Sequence, residues 1–361
     1  MMWPSWLPLR ADLAPLTPYG APQFPCDASL NTNEKPFPPS PRLQQAITDA
    51  VARIANTLNR YPDRDANELR AELAIYINER SATGFSAKNI WAANGSNEII
   101  QSIFLAFGAG TALGFTPSYS MHPLIARVVG TSWVDGKRNP DFSFNVDVAV
   151  DEVKKHKPTM TFITTPNNPT GGAVALNEIA TLAAVVSLHG GLLIVDEAYA
   201  EFSSEKSAVT LIEKNPHIIV IRTMSKAFAF AGVRVGYLIA DPVVVDAMAL
   251  VRLPYHLSAL TQAAALVAIE YRIELLGNVA SLIAARESLV ISLKAIGLTT
   301  VPSAANFILF TGFQASAPQL WQGLLDKGVL IRDVGLSGYL RVTVGNETEN
   351  RAFLKALTEL L

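Results

Sequence analysis

HIIVIRTMSKAFAFAGVRVGYLIA, residues 217–240, is the stretch on which the reading of this chain turns. HIIVIR (217–222) and RVGYLIA (234–240) are short apolar runs of strand length. Beside them lie Thr223, Ser225, Lys226 and Arg234. Two hydroxyls and a guanidinium just past a strand suit a phosphate. Lys226 sits among Ala, Phe and Met with few charges nearby. Burial lowers a lysine's pKa and frees its neutral amine to act as a nucleophile. A lone lysine is more often a solvated surface residue; the apolar flanks and hydroxyl neighbours favour the buried alternative.

The alternation of short apolar runs with helical spacing continues outward. NIWAA (89–93), TALGF (111–115), TMTFIT (159–164) and GLLIVD (191–196) are further strand candidates. Helical periodicity marks 41–59, 66–80, 242–252 and 258–296. Near-continuous apolar strands separated by helices predict a mostly parallel sheet covered on both faces. NFILF (306–310) and LRVTV (340–344), with helices expected around 317–327 and 347–360, predict a smaller α/β unit at the C-terminus. Prolines at 4, 8, 15, 18, 22, 25, 36, 38 and 39 rule out continuous helix or central strand over residues 1–40. Trp3, Trp6, Leu7 and Leu9 favour an arm lying on another surface over a solvated tail.

Composition narrows the function classes. The 361 residues are half apolar and 17% charged, enough for one large domain or two ordinary ones. A net charge of −2 argues against a broad nucleic-acid surface. Cys26 is alone, which excludes an intramolecular disulfide and a cysteine zinc cluster. The histidines at 122, 156, 189, 217 and 256 show no His-x-x-x-His spacing, so no metal site is expected. LAAVVSLHGGLLIV (182–195) is broken by His189 and two glycines, short of the roughly 20 apolar residues of a membrane helix. MMWPSWLPLR lacks the basic and apolar regions of a signal peptide. A cytoplasmic chain is expected, with its excess apolar surface covered at a subunit interface.

Three further motifs sit at strand ends, where open parallel sheets place their ligands. AANGSNEI (92–99) runs from a strand through Gly95 into a helix, pointing the N–H groups of Ser96 and Asn97 at one spot. The alternative is an ordinary capped turn. DEAYAEF (196–202) puts Asp196 and Tyr199 past a strand end, to pair with a buried cation or to cap a helix. TTPNNPTG (164–171) is a rigid loop in which Asn168 offers an amide, or a plain turn. Together they supply a phosphate site at a helix end, a Schiff-base lysine and a carboxylate for a pyridinium nitrogen. That set matches pyridoxal phosphate chemistry.

The order NRYP, GSNE, PSY, PNNPTG, DEAY, SKAF, GVRVGY, LRVTVG resembles the fold-type I pyridoxal-phosphate aminotransferases, from LTPYG (16–20) to LRVTVG (340–345). The resemblance implies an α/β fold, with a large domain built on a mostly parallel seven-stranded sheet flanked by helices and a smaller C-terminal α/β domain. It implies an arm and lid over 1–40, a large cofactor domain over 41–257 and a small domain over 258–361. By the same resemblance Lys226 forms the Schiff base with pyridoxal 5′-phosphate and shuttles the proton. Asp196 keeps the pyridine nitrogen protonated. Tyr199 and Asn168 bond the ring hydroxyl, and Tyr119 stacks on the ring. Ser96, Asn97, Thr223, Ser225 and Arg234 bind the phosphate, joined by Tyr61 from the second subunit of a homodimer.

Within that family, RLPYHLSAL (252–260) resembles the branch that exchanges an amino group between L-histidinol phosphate and 2-oxoglutarate, run in reverse in histidine biosynthesis. The resemblance implies that Arg341, assisted by Asn168, clamps the α-carboxylate of glutamate. Arg332 and Tyr19 then hold the distal phosphate of histidinol phosphate. The alternatives are an aromatic amino-acid aminotransferase, a decarboxylase of a phosphorylated amino acid and, for a different class, a cofactor-binding regulator without catalysis. Two positions depart from the family pattern: Lys35 follows Asn33-Glu34 where Asn is usual, and His122 stands where an aromatic is common. Neither is expected to touch the cofactor residues; Lys35 is expected to add charge to the arm and alter lid closure.

Overall fold

A computed structural model describes residues 3–361, so the first two residues of the expected arm lie outside the described residues. Seven strands form the central sheet, in the spatial order Ile90–Ala93, Gly236–Ile239, Ile218–Thr223, Leu192–Asp196, Met160–Thr164, Thr111–Thr116, Ser132–Lys137. Gly236–Ile239 runs antiparallel to both of its neighbours, and the pairs from Ile218–Thr223 onward are parallel. The expected mostly parallel sheet is thus present. Ser132–Lys137 escapes a reading based on apolar runs because it is an edge strand with only Gly136 buried. The expected helical stretch 258–296 is two helices, Ala259–Glu270 and Arg272–Ala295, joined at Tyr271.

Period-two alternation splits the sheet's side chains between two cores. Leu193 and Val195 with Ile218 and Val220 enter the core on one face, against helices Pro41–Ile54, Asn67–Ser81, Leu176–Leu188 and Ala259–Glu270. Ile194, Ile219 and Ile221 enter the other, against Ser96–Phe107, Met121–Val129 and Pro242–Val251. Burial on both faces is why these strands read as continuous apolar runs. Helix starts follow local capping rules: Ser40 accepts from the Leu43 N–H with Pro41 at the first helical position, and Asn346 and Glu349 form a reciprocal box.

The smaller unit has an antiparallel sheet in the order Leu340–Thr343, Phe307–Thr311, Thr299–Thr300. Helices Ala317–Asp326, Glu347–Thr358 and the C-terminal half of Arg272–Ala295 pack on its core. Ala28–Ser29 pairs in parallel with Val329–Leu330, so the end of the N-terminal segment belongs to this unit. Ala264, Ala265, Val267 and Ala268 belong to the large core. We therefore propose a domain division within Arg272–Ala295, later than the expected 257/258 boundary. Among the described residues that helix alone is long and apolar enough on length and composition to cross a membrane. Its Leu275, Val279, Leu282, Leu289 and Leu293 form one face buried within the protein.

One buried ion cluster ties two neighbouring strands together. Arg222, in Ile218–Thr223, lies 2.8 Å from Glu197 and 2.8 Å from Glu201, which follow Leu192–Asp196. Ser207 and the Ala208 N–H donate to Glu197, and Tyr76 donates to Glu201. The two carboxylates hold the Arg222 guanidinium charged, well above its ordinary pKa, against its own desolvation. Removing the cation leaves two buried carboxylates facing each other. Arg222→Ala is expected to lower the unfolding free energy by roughly 3–5 kcal/mol. Urea denaturation measures it, and a loss below about 1 kcal/mol would show that the cluster relaxes without its cation.

Candidate active site

A cavity of about 540 Å3 opens at the C-terminal ends of the parallel strands, between the large and small units. Its large-unit wall comes mostly from strand ends. Met160–Thr164 leads to Asn168, Leu192–Asp196 delivers Asp196 and then Tyr199, and Ile218–Thr223 delivers Thr223, Ser225 and Lys226. Ser96 and Asn97 open helix Ser96–Phe107, whose first-turn N–H groups have no partner within the helix. The cavity collects Tyr19, Ser96, Asn97, Tyr119, Asn168, Asp196, Tyr199, Thr223, Ser225, Lys226, Arg234, Arg332 and Arg341. Every expected site residue is there except Tyr61, which is 79% exposed and stacks on Tyr255 outside the cavity of its own chain.

Lys226 donates from Nζ to the Thr32 carbonyl at 2.8 Å. Desolvation pushes its pKa down to about 8, with the Arg341 charge adding to the shift. Arg341 is buried, and desolvation lowers its pKa to about 10. Its Nη2 donates to the Asn31 carbonyl at 2.7 Å and its Nη1 to Asn168 Oδ1, while Nε has no partner. Arg234 reaches Ser225 Oγ at 3.4 Å. Among the described residues Lys226, Arg234 and Arg341 form no ion pair. Three cations with no ion-pair partner around one cavity suit anionic ligands.

The phosphate end is shaped by close backbone approach. A Cβ on Gly95, which has a φ of +85°, would come 2.6 Å from Arg234 Nη2. One on Gly236 would come 2.5 Å from the Ser96 N atom. These glycines let the helix start, the neighbouring strand and the guanidinium converge. At the other end Asp196 is buried, and Tyr119 donates to Asn97 Oδ1 at 3.0 Å. A phosphate cradle, an amine with a lowered pKa, a buried carboxylate and an aromatic wall fit a phosphorylated pyridine aldehyde.

Of the two departures from the family pattern, His122 touches a cofactor residue, against expectation, while Lys35 does not. His122 Nε2 lies 3.2 Å from Asp196 Oδ2, both side chains being buried. Tyr119 and His122 meet edge to face, because helix Met121–Val129 starts under the cavity floor. Lys35 donates to the carbonyls of Ala227 and Leu275, anchoring the N-terminal segment beside Lys226. Desolvation lowers its pKa to about 8. Asn33, also unanticipated, is buried and donates to the Tyr199 hydroxyl at 2.9 Å. Its separation from Tyr199 by 166 positions leaves no local sequence signal.

The fold and the site define a class, and the comparisons agree: residues 28–357 match the aminotransferase class I and II family, to which this chain belongs. Members use pyridoxal phosphate. The chain is 52% identical to the histidinol-phosphate aminotransferase of Mycolicibacterium vanbaalenii, over 97% of this chain and 95% of that one. It is 51% identical to the enzyme of the same name from Nocardia farcinica, over 97% and 90%. The structure of histidinol-phosphate aminotransferase from Sinorhizobium meliloti in complex with pyridoxal-5′-phosphate superposes with a TM-score of 0.81, covering 93% and 91%. At 22% identity that likeness is one of fold.

The amine of Lys226 is neutral above a pH of about 8. Trapping of pyridoxal phosphate on the cofactor-free protein with borohydride should therefore accelerate as pH rises and level off above that value. The labelled peptide should contain Lys226, and Lys226→Ala should lose that label and turnover together. A midpoint near the ordinary lysine value would place the amine in solvent.

Proposed function

We propose that this enzyme moves an amino group between L-histidinol phosphate and 2-oxoglutarate, giving imidazole-acetol phosphate and L-glutamate, with the reverse direction serving histidine biosynthesis. The observation that carries the reading is a backbone bridge between Arg332 and Arg341, with N–H to carbonyl distances of 3.0 and 2.9 Å. Residues opposed across an antiparallel bridge share one face. Both guanidinium groups thus line one cavity, Arg341 5.0 Å from the Phe307 ring and Arg332 5.9 Å from that of Tyr19. Such a pair suits a substrate set with two anionic groups: Arg341 with Asn168 for the glutamate carboxylate, Arg332 with Tyr19 for the distal phosphate.

Pyridoxal phosphate, when bound, supplies an electron sink for the bonds at the amino-bearing carbon. The chain supplies the rest. Ser96, Asn97, Thr223, Ser225 and Arg234 hold the phosphate, and Asp196 holds a proton at the pyridine nitrogen. Tyr119 packs on the ring, and Tyr199 and Asn168 face its hydroxyl. Lys226 would hold the cofactor, and its Nζ, as a neutral amine, would move a proton at the reacting carbon. Tyr61 serves the phosphate of a partner subunit's site. In support, Tyr61 and Tyr255 stack on each other while exposed, and Leu58, Leu250 and Leu253, close to them in sequence, are exposed as well. We place the enzyme in the cytoplasm, in keeping with the free thiol of Cys26.

Half-reactions followed by cofactor absorbance test the substrate. Conversion at low L-histidinol phosphate with a slow response to L-phenylalanine is expected; comparable conversion with phenylalanine would make this a broad aromatic transaminase. Arg332→Ala should weaken the phosphorylated substrate about 100-fold and leave cofactor affinity nearly unchanged; equal losses of both would remove the distal-phosphate role. Leu253→Glu should convert the dimer to monomers in light scattering and abolish turnover, whereas an intact dimer would move the interface elsewhere.

A further inference from the structure

Asn33 stands at a junction that no catalytic role accounts for. It lies in the N-terminal segment with a φ of 57°, in the left-handed region, and its side chain is buried. Its backbone N–H donates to Thr343 Oγ1 at 3.0 Å, and its carbonyl accepts from Asn306 Nδ2 at 3.1 Å. Thr343 Oγ1 also lies 3.0 Å from Asn33 Oδ1. The Thr343 hydroxyl accepts the Asn33 N–H on one lone pair and gives its single hydrogen to Oδ1. With the amide in this orientation, Nδ2 donates to the Tyr199 hydroxyl at 2.9 Å.

The consequence falls on Tyr199. Its oxygen receives Asn33 Nδ2 and, at 3.5 Å, Asn168 Nδ2. Among the described residues it donates to no protein acceptor. A phenol has one hydrogen; with amide donors on the protein side, that hydrogen is left for the cavity. The charged groups nearby are Arg341, Asp196 and Lys226, the last with Nζ 6.0 Å from the ring centre, and none bonds to the hydroxyl. We propose that Asn33 is a positioning residue that sets the direction of the Tyr199 O–H, turning it toward the cofactor's ring oxygen. Thr343 ends one strand of the small unit, Asn306 precedes another, and Tyr199 follows a strand of the large one, so the relay sets this hydrogen from across the two units.

The inference rests on the reading that Tyr199 faces the ring hydroxyl, and a double-mutant cycle separates the two. A hydrogen donated to the ring oxygen favours its anionic form; losing it moves the pH midpoint of the holoenzyme's visible absorption upward. Tyr199→Phe should raise that midpoint by about one unit. Asn33→Asp is close to isosteric and tolerates the left-handed backbone. It replaces the amide donor with an acceptor, so the phenol turns away from the cavity. It should raise the midpoint in the parent enzyme by clearly more than in the Tyr199→Phe background, where the new charge acts without a phenol to redirect. Equal shifts in the two backgrounds overturn the role of Asn33. No shift from Tyr199→Phe overturns the reading of Tyr199 and this inference with it. If Asn33→Asp does not retain the visible band, Asn33→Gly should raise the midpoint by less than Tyr199→Phe does, and an unchanged midpoint overturns the proposal.

Discussion

Arg222, held between Glu197 and Glu201, is the constraint on which the geometry of the site depends. Asp196 precedes Glu197, and Tyr199 lies between the two glutamates in sequence. Thr223, Ser225 and Lys226 follow Arg222. Parallel pairing sets Asp196 opposite Ile221. Beyond that pair the chain after Asp196 leaves the sheet as a loop, the ordinarily mobile part of a fold, while Arg222 and Thr223 stay paired with Tyr237 and Gly236 on the other side. The ion cluster continues the connection where strand pairing stops, because a buried cation satisfied on both sides leaves its partners little freedom.

The second constraint is the path of the N-terminal segment. Residues 28–29 pair with the small unit, while Asn31, Thr32, Asn33 and Lys35 bond to Arg341, Lys226, Tyr199 and the Ala227 carbonyl in turn. Lys226 and Arg341 bond to backbone carbonyls and form no ion pair among the described residues. An uncompensated charge in a desolvated place has its charged form disfavoured, which is why both pKa values fall. The site therefore favours anionic ligands through what it withholds as well as through what it offers.

The sheet was legible wherever its strands are buried on both faces, as in Leu192–Asp196 and Ile218–Thr223, because burial imposes a continuous apolar run. It was illegible at Ser132–Lys137, where an edge position relaxes that demand. The cofactor residues were legible as short motifs because each group leaves one strand end and keeps its spacing. His122 was misjudged for the opposite reason, and the anchoring contacts of Lys35 were illegible for the same one. Their importance comes from contacts with Asp196, 74 positions away, and with Ala227, 192 positions away.

By itself the sequence determined the alternating α/β architecture, the lysine's apolar setting and the set of residues able to hold a phosphorylated cofactor, because each is written in local periodicity or within one motif. The tertiary structure alone decided which carbonyls face Lys226 and Arg341, which side of Asp196 meets His122 and how the amide of Asn33 is turned. Those depend on hydrogen-bond directions between segments distant in the chain. Such directions are set only when packing excludes water and leaves each buried donor a single acceptor.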